Sequence, residues 1–121
     1  MTHPLRLLLV DDDAMQLELV ERALSRDGFD VRGASSLHAV AQLAAELRPE
    51  LVLVDVNMPE APLAQVVAAV REAAPTARVI LYSAWEEAKL KKLAGELAVD
   101  GYVSKSESVF GLGPKLRKLA L

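Results

Sequence analysis

Five short, branched apolar blocks alternate with stretches of helical periodicity along this chain, and few architectures accept such a pattern. The first block, Arg6–Val10, is almost wholly apolar, as expected of a strand covered on both faces. Residues 51–54 and 78–82 read the same way, and Asp30–Ala34 and Gly101–Ser104 are weaker versions. Between them, helices are expected over Ala14–Arg26, Leu37–Leu47, 63–74 and 86–97, with a short last helix starting at Pro114. In the first helix Leu19, Ala23 and Arg26 lie on one side, with Gln16, Val20 and Leu24 beside them. In the second, Val40, Leu43, Ala44 and Leu47 form the inner stripe, and Ser35-Ser36 offers the N-cap. Asp27-Gly28, Arg48-Pro49 and Pro75 act as stops.

Alternation of buried strands and helices implies a parallel sheet with helices on both faces, joined by right-handed crossovers. Both flavodoxin-like and nucleotide-binding strand orders remain open on this logic. No Gly-x-Gly-x-x-Gly follows the first strand and no Gly-Lys-Ser/Thr phosphate loop occurs, which argues against nucleotide binding. A length of 121 residues suits one domain with one core. Hydrophobic residues make up 52% of the chain and mean hydropathy is +0.22, so a packed protein is expected. The net charge of −3 gives no general attraction to nucleic acid or to an anionic membrane. Without cysteine there is no disulfide, thiolate metal site or cysteine nucleophile. Met1-Thr2-His3-Pro4 lacks the zones of a signal peptide, and no apolar run reaches the length of a membrane span. A soluble, cytoplasmic domain is the expectation.

Chemistry collects where the strands end. Asp11, Asp12 and Asp13 follow the first strand, Asp55 the third, Ser83 the fourth and Lys105 the fifth. In an open parallel α/β sheet those carboxyl ends share one edge, where ligands bind. Clustered carboxylates repel unless a cation or proton intervenes, and a hard divalent ion is the natural remedy. Asp13 suits a helix cap, while Asp12 suits a metal ligand, direct or through water, with Asp11 behind it. Read alone, Asp55 is as well explained as a turn aspartate; read with the others it is a nucleophile toward phosphorus. The main-chain carbonyl of Asn57 would complete an octahedral Mg²⁺ shell. Ser83 is either a helix cap or a hydroxyl donor to a phosphoryl oxygen. Lys105 is either a solvated lysine or an ammonium that holds the transferred group. Phosphoryl transfer needs in-line positioning and neutralised equatorial oxygens, which an ion, a lysine and a hydroxyl supply.

Leu7-Leu8-Leu9-Val10-Asp11-Asp12-Asp13, Leu53-Val54-Asp55-Val56-Asn57-Met58-Pro59, Leu81-Tyr82-Ser83-Ala84 and Gly101-Tyr102-Val103-Ser104-Lys105 occur in that order. Together they resemble bacterial response-regulator receiver domains, the CheY-like fold, over nearly the whole chain. The resemblance implies a flavodoxin-like (βα)5 domain over residues 1–121, with a five-stranded parallel sheet in the order 2-1-3-4-5. It implies Asp55 as phosphoacceptor, Asp11 and Asp12 as the acidic pair at Mg²⁺, and Asn57 as main-chain ligand. Ser83 and Lys105 match the switch hydroxyl and the site lysine, and Tyr102 matches the switch aromatic. The implied phosphodonor is a histidine kinase or phosphotransfer protein, or a small phosphodonor. The implied output is a partner bound at the helix 4–strand 5–helix 5 face. Such a domain catalyses only its own phosphorylation and dephosphorylation. A stand-alone switch without effector domain, a monomer or weak dimer touching neither DNA nor membrane, is expected.

Several positions depart from the family. Ser106 stands where a proline usually follows the lysine, and a trans peptide is expected there. Leu63 replaces a frequent glycine after the active-site loop, and Pro62 precedes it, so a loop of different shape is expected. The last helix is short, which would remodel the output face. Trp85 is either a surface cap or a screen that keeps water from an aspartyl phosphate. Lys89, Lys91, Lys92, Lys115, Arg117 and Lys118 would make one edge basic, as a solvated face or as a dock for an acidic partner. His3 and His38 form no metal site. A second reading from another class is a phosphorylation-independent interaction module with the same fold. A phosphatase using Asp-x-Asp chemistry ranks low, because Asp55-Val56-Asn57 lacks the second acid.

Overall fold

A computed structural model describes residues 3–105 and 109–120. The elements run β1 (Arg6–Val10), α1 (Ala14–Arg26), β2 (Asp30–Ala34), α2 (Leu37–Leu47), β3 (Leu51–Asp55), α3 (Leu63–Ala73), β4 (Arg78–Ser83), α4 (Glu87–Leu97), β5 (Gly101–Ser104) and α5 (Leu112–Leu119), with a 3-10 turn at Val109–Gly111. The strands form one sheet in the order β2-β1-β3-β4-β5, every pair parallel. The order that the motifs implied is therefore the one adopted, and the flavodoxin-like class holds.

Strand alternation sorts the core into two layers. Leu7, Leu9, Leu51, Leu53, Ile80, Tyr82 and Val103 pack with Val20 and Leu24 of α1 and Leu112 and Leu116 of α5. Leu8, Val10, Val52, Val54 and Val79 face α2 and α3 through Val40, Ala44, Leu47, Val66 and Val70. Leu81 continues that second layer to Leu90 and Ala94 of α4. Leu7, Leu8, Leu9, Leu51 and Leu53 are fully buried or nearly so. Truncating any of them to alanine costs about 2–5 kcal/mol.

Caps fix where the helices begin and end. Asp13 accepts the amides of Met15 and Gln16 at the start of α1, and Ser36 accepts that of Ala39 at the start of α2. Gly28 follows the α1 cap at φ 88, a left-handed conformation that glycine takes without a Cβ penalty.

Some expectations change. β3 and β4 each extend one residue further, to Asp55 and Ser83; α3 ends at Ala73 and α4 starts at Glu87. α5 begins at Leu112, so Pro114 is its third residue and not its first. Proline is tolerated there because first-turn amides have no intrahelical partner. The inward stripe of α1 is Leu17, Val20 and Leu24; Leu19 is 52% exposed and Arg26 lies outside as well. The six basic residues do not form one edge. The Arg117 guanidinium lies 4.5 Å over the Phe29 ring and donates to the Asp27 carbonyl, on the α1 side of the molecule. Leu63 is simply the first residue of α3 after Pro62 (φ −58), and it needs no left-handed conformation. Ser106, and with it the expectation about its peptide bond, lies outside the described residues. Among the described residues no helix is long and apolar enough to cross a membrane.

Candidate functional site: an acidic pocket at the carboxyl edge of the sheet

The alternation that builds the core also aims the site. Asp11 continues the Leu7, Leu9 parity of β1, and Asp55 continues the Leu51, Leu53 parity of β3. Asp55 pairs with Tyr82 across β3–β4, Tyr82 pairs with Val103 across β4–β5, and Lys105 follows two residues after Val103. All of these side chains therefore project to the layer of α1 and α5. Backbone bonds extend the ladder past the strand ends and hold these residues: Asp11 N–H to Ala34 O at 3.1 Å, Val56 N–H to Tyr82 O at 3.2 Å, Lys105 N–H to Ser83 O at 2.7 Å.

Carboxylate oxygens of Asp11, Asp12 and Asp55 all lie within 4.8 Å of one another. Asp11 and Asp55 are buried, while Asp12 is exposed at the rim. Lys105 Nζ donates to Asp55 Oδ1 at 3.1 Å and lies 3.6 Å from Asp11 Oδ2. The same ammonium sits 5.2 Å from the centroid of the Tyr82 ring. Asp11 Oδ1 accepts the Asp13 amide at 3.0 Å, but its buried Oδ2 has no hydrogen-bond partner. Burial raises the Asp11 carboxyl above the usual aspartate range and the Asp55 carboxylate adds to this, while the Asp13 amide and the Lys105 ammonium oppose it. Burial also raises the Tyr82 phenol, helped by the charges of Asp11 and Asp55.

An orphaned, buried carboxylate oxygen beside two further carboxylates fits a hard divalent cation. The donor set is all oxygen, as Mg²⁺ prefers. Asn57 is exposed in the loop two residues after Asp55. Asp13 is taken up by the α1 cap and stands outside the cluster, as expected. His3 pairs with Glu50 at 2.8 Å, near the start of β1, and among the described residues it joins no cluster of metal-ligating side chains.

Ser83 and Tyr102 have the opposite parity. Ser83 is fully buried, and its Oγ accepts the Trp85 amide at 3.1 Å. The Tyr102 hydroxyl lies 3.5 Å from Glu87 Oε1, at the limit of hydrogen-bond reach. Tyr102 lines a cleft of about 270 Å³ with Trp85, Glu87 and Lys115. The Trp85 ring packs on the α4 side of the core and carries Lys89 Nζ 4.2 Å from its centroid. Tyr82 is the site residue that sequence reasoning missed; its signal was an aromatic side chain in register with Asp55.

Fold and pocket together define a doubly wound α/β domain with a cation-ready acidic site at its carboxyl edge. The chain belongs to the response regulator receiver domain family, whose model matches residues 7–112. It is 31% identical over 97% of its length to the probable transcriptional regulatory protein TcrX of Mycobacterium tuberculosis, covering 50% of that protein. It is 33% identical over 83% of its length to the transcriptional regulatory protein PrrA of Mycobacterium leprae, covering 43% of it. The chain thus spans about half the length of these curated relatives. The signal receiver domain of the putative response regulator NarL from Mycobacterium tuberculosis matches at TM-score 0.80 and 30% identity, over 98% of each chain. Chemotaxis protein CheY4 of Vibrio cholerae shares the fold at TM-score 0.83 and 21% identity, over 96% of this chain and 98% of that one.

Proposed function

We propose that this domain takes a phosphoryl group on Asp55 and uses the aspartyl phosphate as a switch. The observation that supports this most is the convergence of Lys105 Nζ on Asp55 Oδ1 and Asp11 Oδ2, at 3.1 and 3.6 Å, with the Asp12 carboxylate beside them. Asp11, Asp12, Asp55 and the Asn57 carbonyl would hold Mg²⁺. When bound, the ion neutralises charge that develops on the transferred group. A carboxylate oxygen of Asp55 forms a bond to phosphorus as the donor's P–N bond breaks, and the electron pair returns to the donor imidazole. Lys105 offers its ammonium to a phosphoryl oxygen. The donor is a histidine kinase or phosphotransfer protein, and small phosphodonors serve in its absence. The domain catalyses no reaction but its own phosphorylation and dephosphorylation.

The response runs through Ser83 and Tyr102. The Ser83 hydroxyl leaves the Trp85 amide for the phosphoryl group, and Tyr102 leaves Glu87 as the α4–β5–α5 face changes for a partner. This acts in the cytoplasm, with the phosphodonor as upstream protein.

Intact-mass spectrometry after exposure to acetyl phosphate and Mg²⁺ tests the proposal. The expected result is one added phosphoryl mass, absent in Asp55→Ala and retained in Asp13→Ala. No added mass in the native sequence overturns it and favours a phosphorylation-independent interaction module.

A further inference from the structure

Tyr82 occupies a core place otherwise filled by aliphatic side chains such as Leu51, Leu53 and Ile80. It is 5% exposed in the α1/α5 layer, in register with Asp55 on one side and Val103 on the other. Its ring face lies 5.2 Å from Lys105 Nζ. The lysine needs such a guide. Its four-carbon stem is flexible, its side chain is 20% exposed, and its backbone anchor, the bond to Ser83 O, ends at Cα.

Among the described residues two carboxylates also attract the ammonium, Asp55 at 3.1 Å and Asp11 at 3.6 Å. Those carboxylates weaken as attractors once they face a cation of their own, because the added positive charge repels the ammonium. The ring's negative face keeps its attraction whatever the carboxylates bind. We propose that Tyr82 is a positioning residue that holds the Lys105 ammonium over the pocket through its ring face. Its effect on phosphoryl uptake rests on the role proposed for Asp55 and Lys105; its contact with Lys105 does not.

NMR of the full chain labelled at lysine Cε, with and without Mg²⁺, reads the contact directly. The expected result is an upfield ring-current shift of the Lys105 ε-methylene and a cross-peak to the Tyr82 ring, both surviving saturation with Mg²⁺. Tyr82→Leu removes both, and Tyr82→Phe restores them. Phosphoryl uptake from acetyl phosphate slows about fivefold in Tyr82→Leu, the factor equivalent to ~1 kcal/mol of cation–π attraction, and Tyr82→Phe recovers most of it. In a Lys105→Ala background, Tyr82→Leu adds no further loss. Absence of the shift and cross-peak in the native sequence overturns the inference even if Tyr82→Leu fails to fold. An equal slowing by Tyr82→Leu with and without Lys105 also overturns it, since the tyrosine would then be only packing. Shift and cross-peak without any phosphoryl uptake support the contact and sink the acceptor role of Asp55 instead.

Discussion

Glu60 Oε1 accepts the backbone N–H of Leu37 at 2.9 Å, so the loop after Asp55 caps a helix that begins 23 residues earlier. A carboxylate there satisfies an amide with no intrahelical partner and meets the positive end of the helix dipole. Glu60→Ala is expected to lower stability by about 0.5–1 kcal/mol, read by urea denaturation. Amide exchange should quicken in the loop around residues 57–61 and at the first turn of α2.

Asp11 gives the protein a pH signature. Its folded-state pKa is raised, chiefly by burial, so the folded protein holds that proton more tightly than the unfolded chain. The stability this supplies is complete below the ordinary value near 3.8 and is lost as pH rises through the folded-state value. Above the folded-state value the ionised carboxylate is therefore a net cost that the Lys105 ammonium offsets only in part, and that a divalent cation would relieve. Asp11→Asn should raise the melting temperature at neutral pH in the presence of chelator. The native sequence should gain about 2.7 kcal/mol at Mg²⁺ a hundredfold above its dissociation constant, and Asp11→Asn should lose most of that gain. Calorimetry at low and neutral pH, with and without Mg²⁺, reads both effects.

A side chain at Gly113 would crowd Asp27. A Cβ there would lie 3.1 Å from Asp27 Cγ and 3.2 Å from Asp27 Cβ, with Oδ2 nearer still. Alanine normally favours a helix over glycine by about 1 kcal/mol. Here Gly113→Ala is expected to destabilise by roughly 1–3 kcal/mol by crowding the α1–α5 junction. Adding Asp27→Ala should recover part of the loss in thermal denaturation.

Trp85 follows Ser83 by two residues and sits beside the pocket wall on the α4 side. Its amide is held by Ser83, and its ring is pinned between the α4 side of the core and Lys89. If the ring screens the aspartyl phosphate, Trp85→Ala speeds dephosphorylation severalfold. An unchanged decay of the phosphoryl mass signal makes Trp85 a surface cap only.

Much of this was legible in the residues because burial on both faces leaves strands unmistakable. Leu7 to Val10 and Leu51 to Val54 can only be central, and the acids that follow them must then share an edge. Asp13 as a cap followed from its place before Ala14. What escaped had weak or distant signals. Which side of α1 turns inward was not legible because Leu17 and Leu19 are both apolar, and only the tertiary partner chooses between them. The start of α5 was hidden by Gly111, Leu112 and Gly113, whose flexible composition masks a first turn ahead of Pro114. Arg117 finds its partner 90 residues away, which no local pattern announces. Tyr82 stood inside the Leu81-Tyr82-Ser83-Ala84 motif with nothing to set it apart, since tyrosine is common in strands.

Residues 82 and 83 are neighbours in β4, yet they look onto opposite helical walls. One wall carries the Tyr82 ring beside the Lys105 ammonium, and the other carries the Ser83 hydroxyl that holds the Trp85 amide. A single peptide unit is thus the partition between the acidic pocket and the side of the sheet where Trp85 and Tyr102 lie.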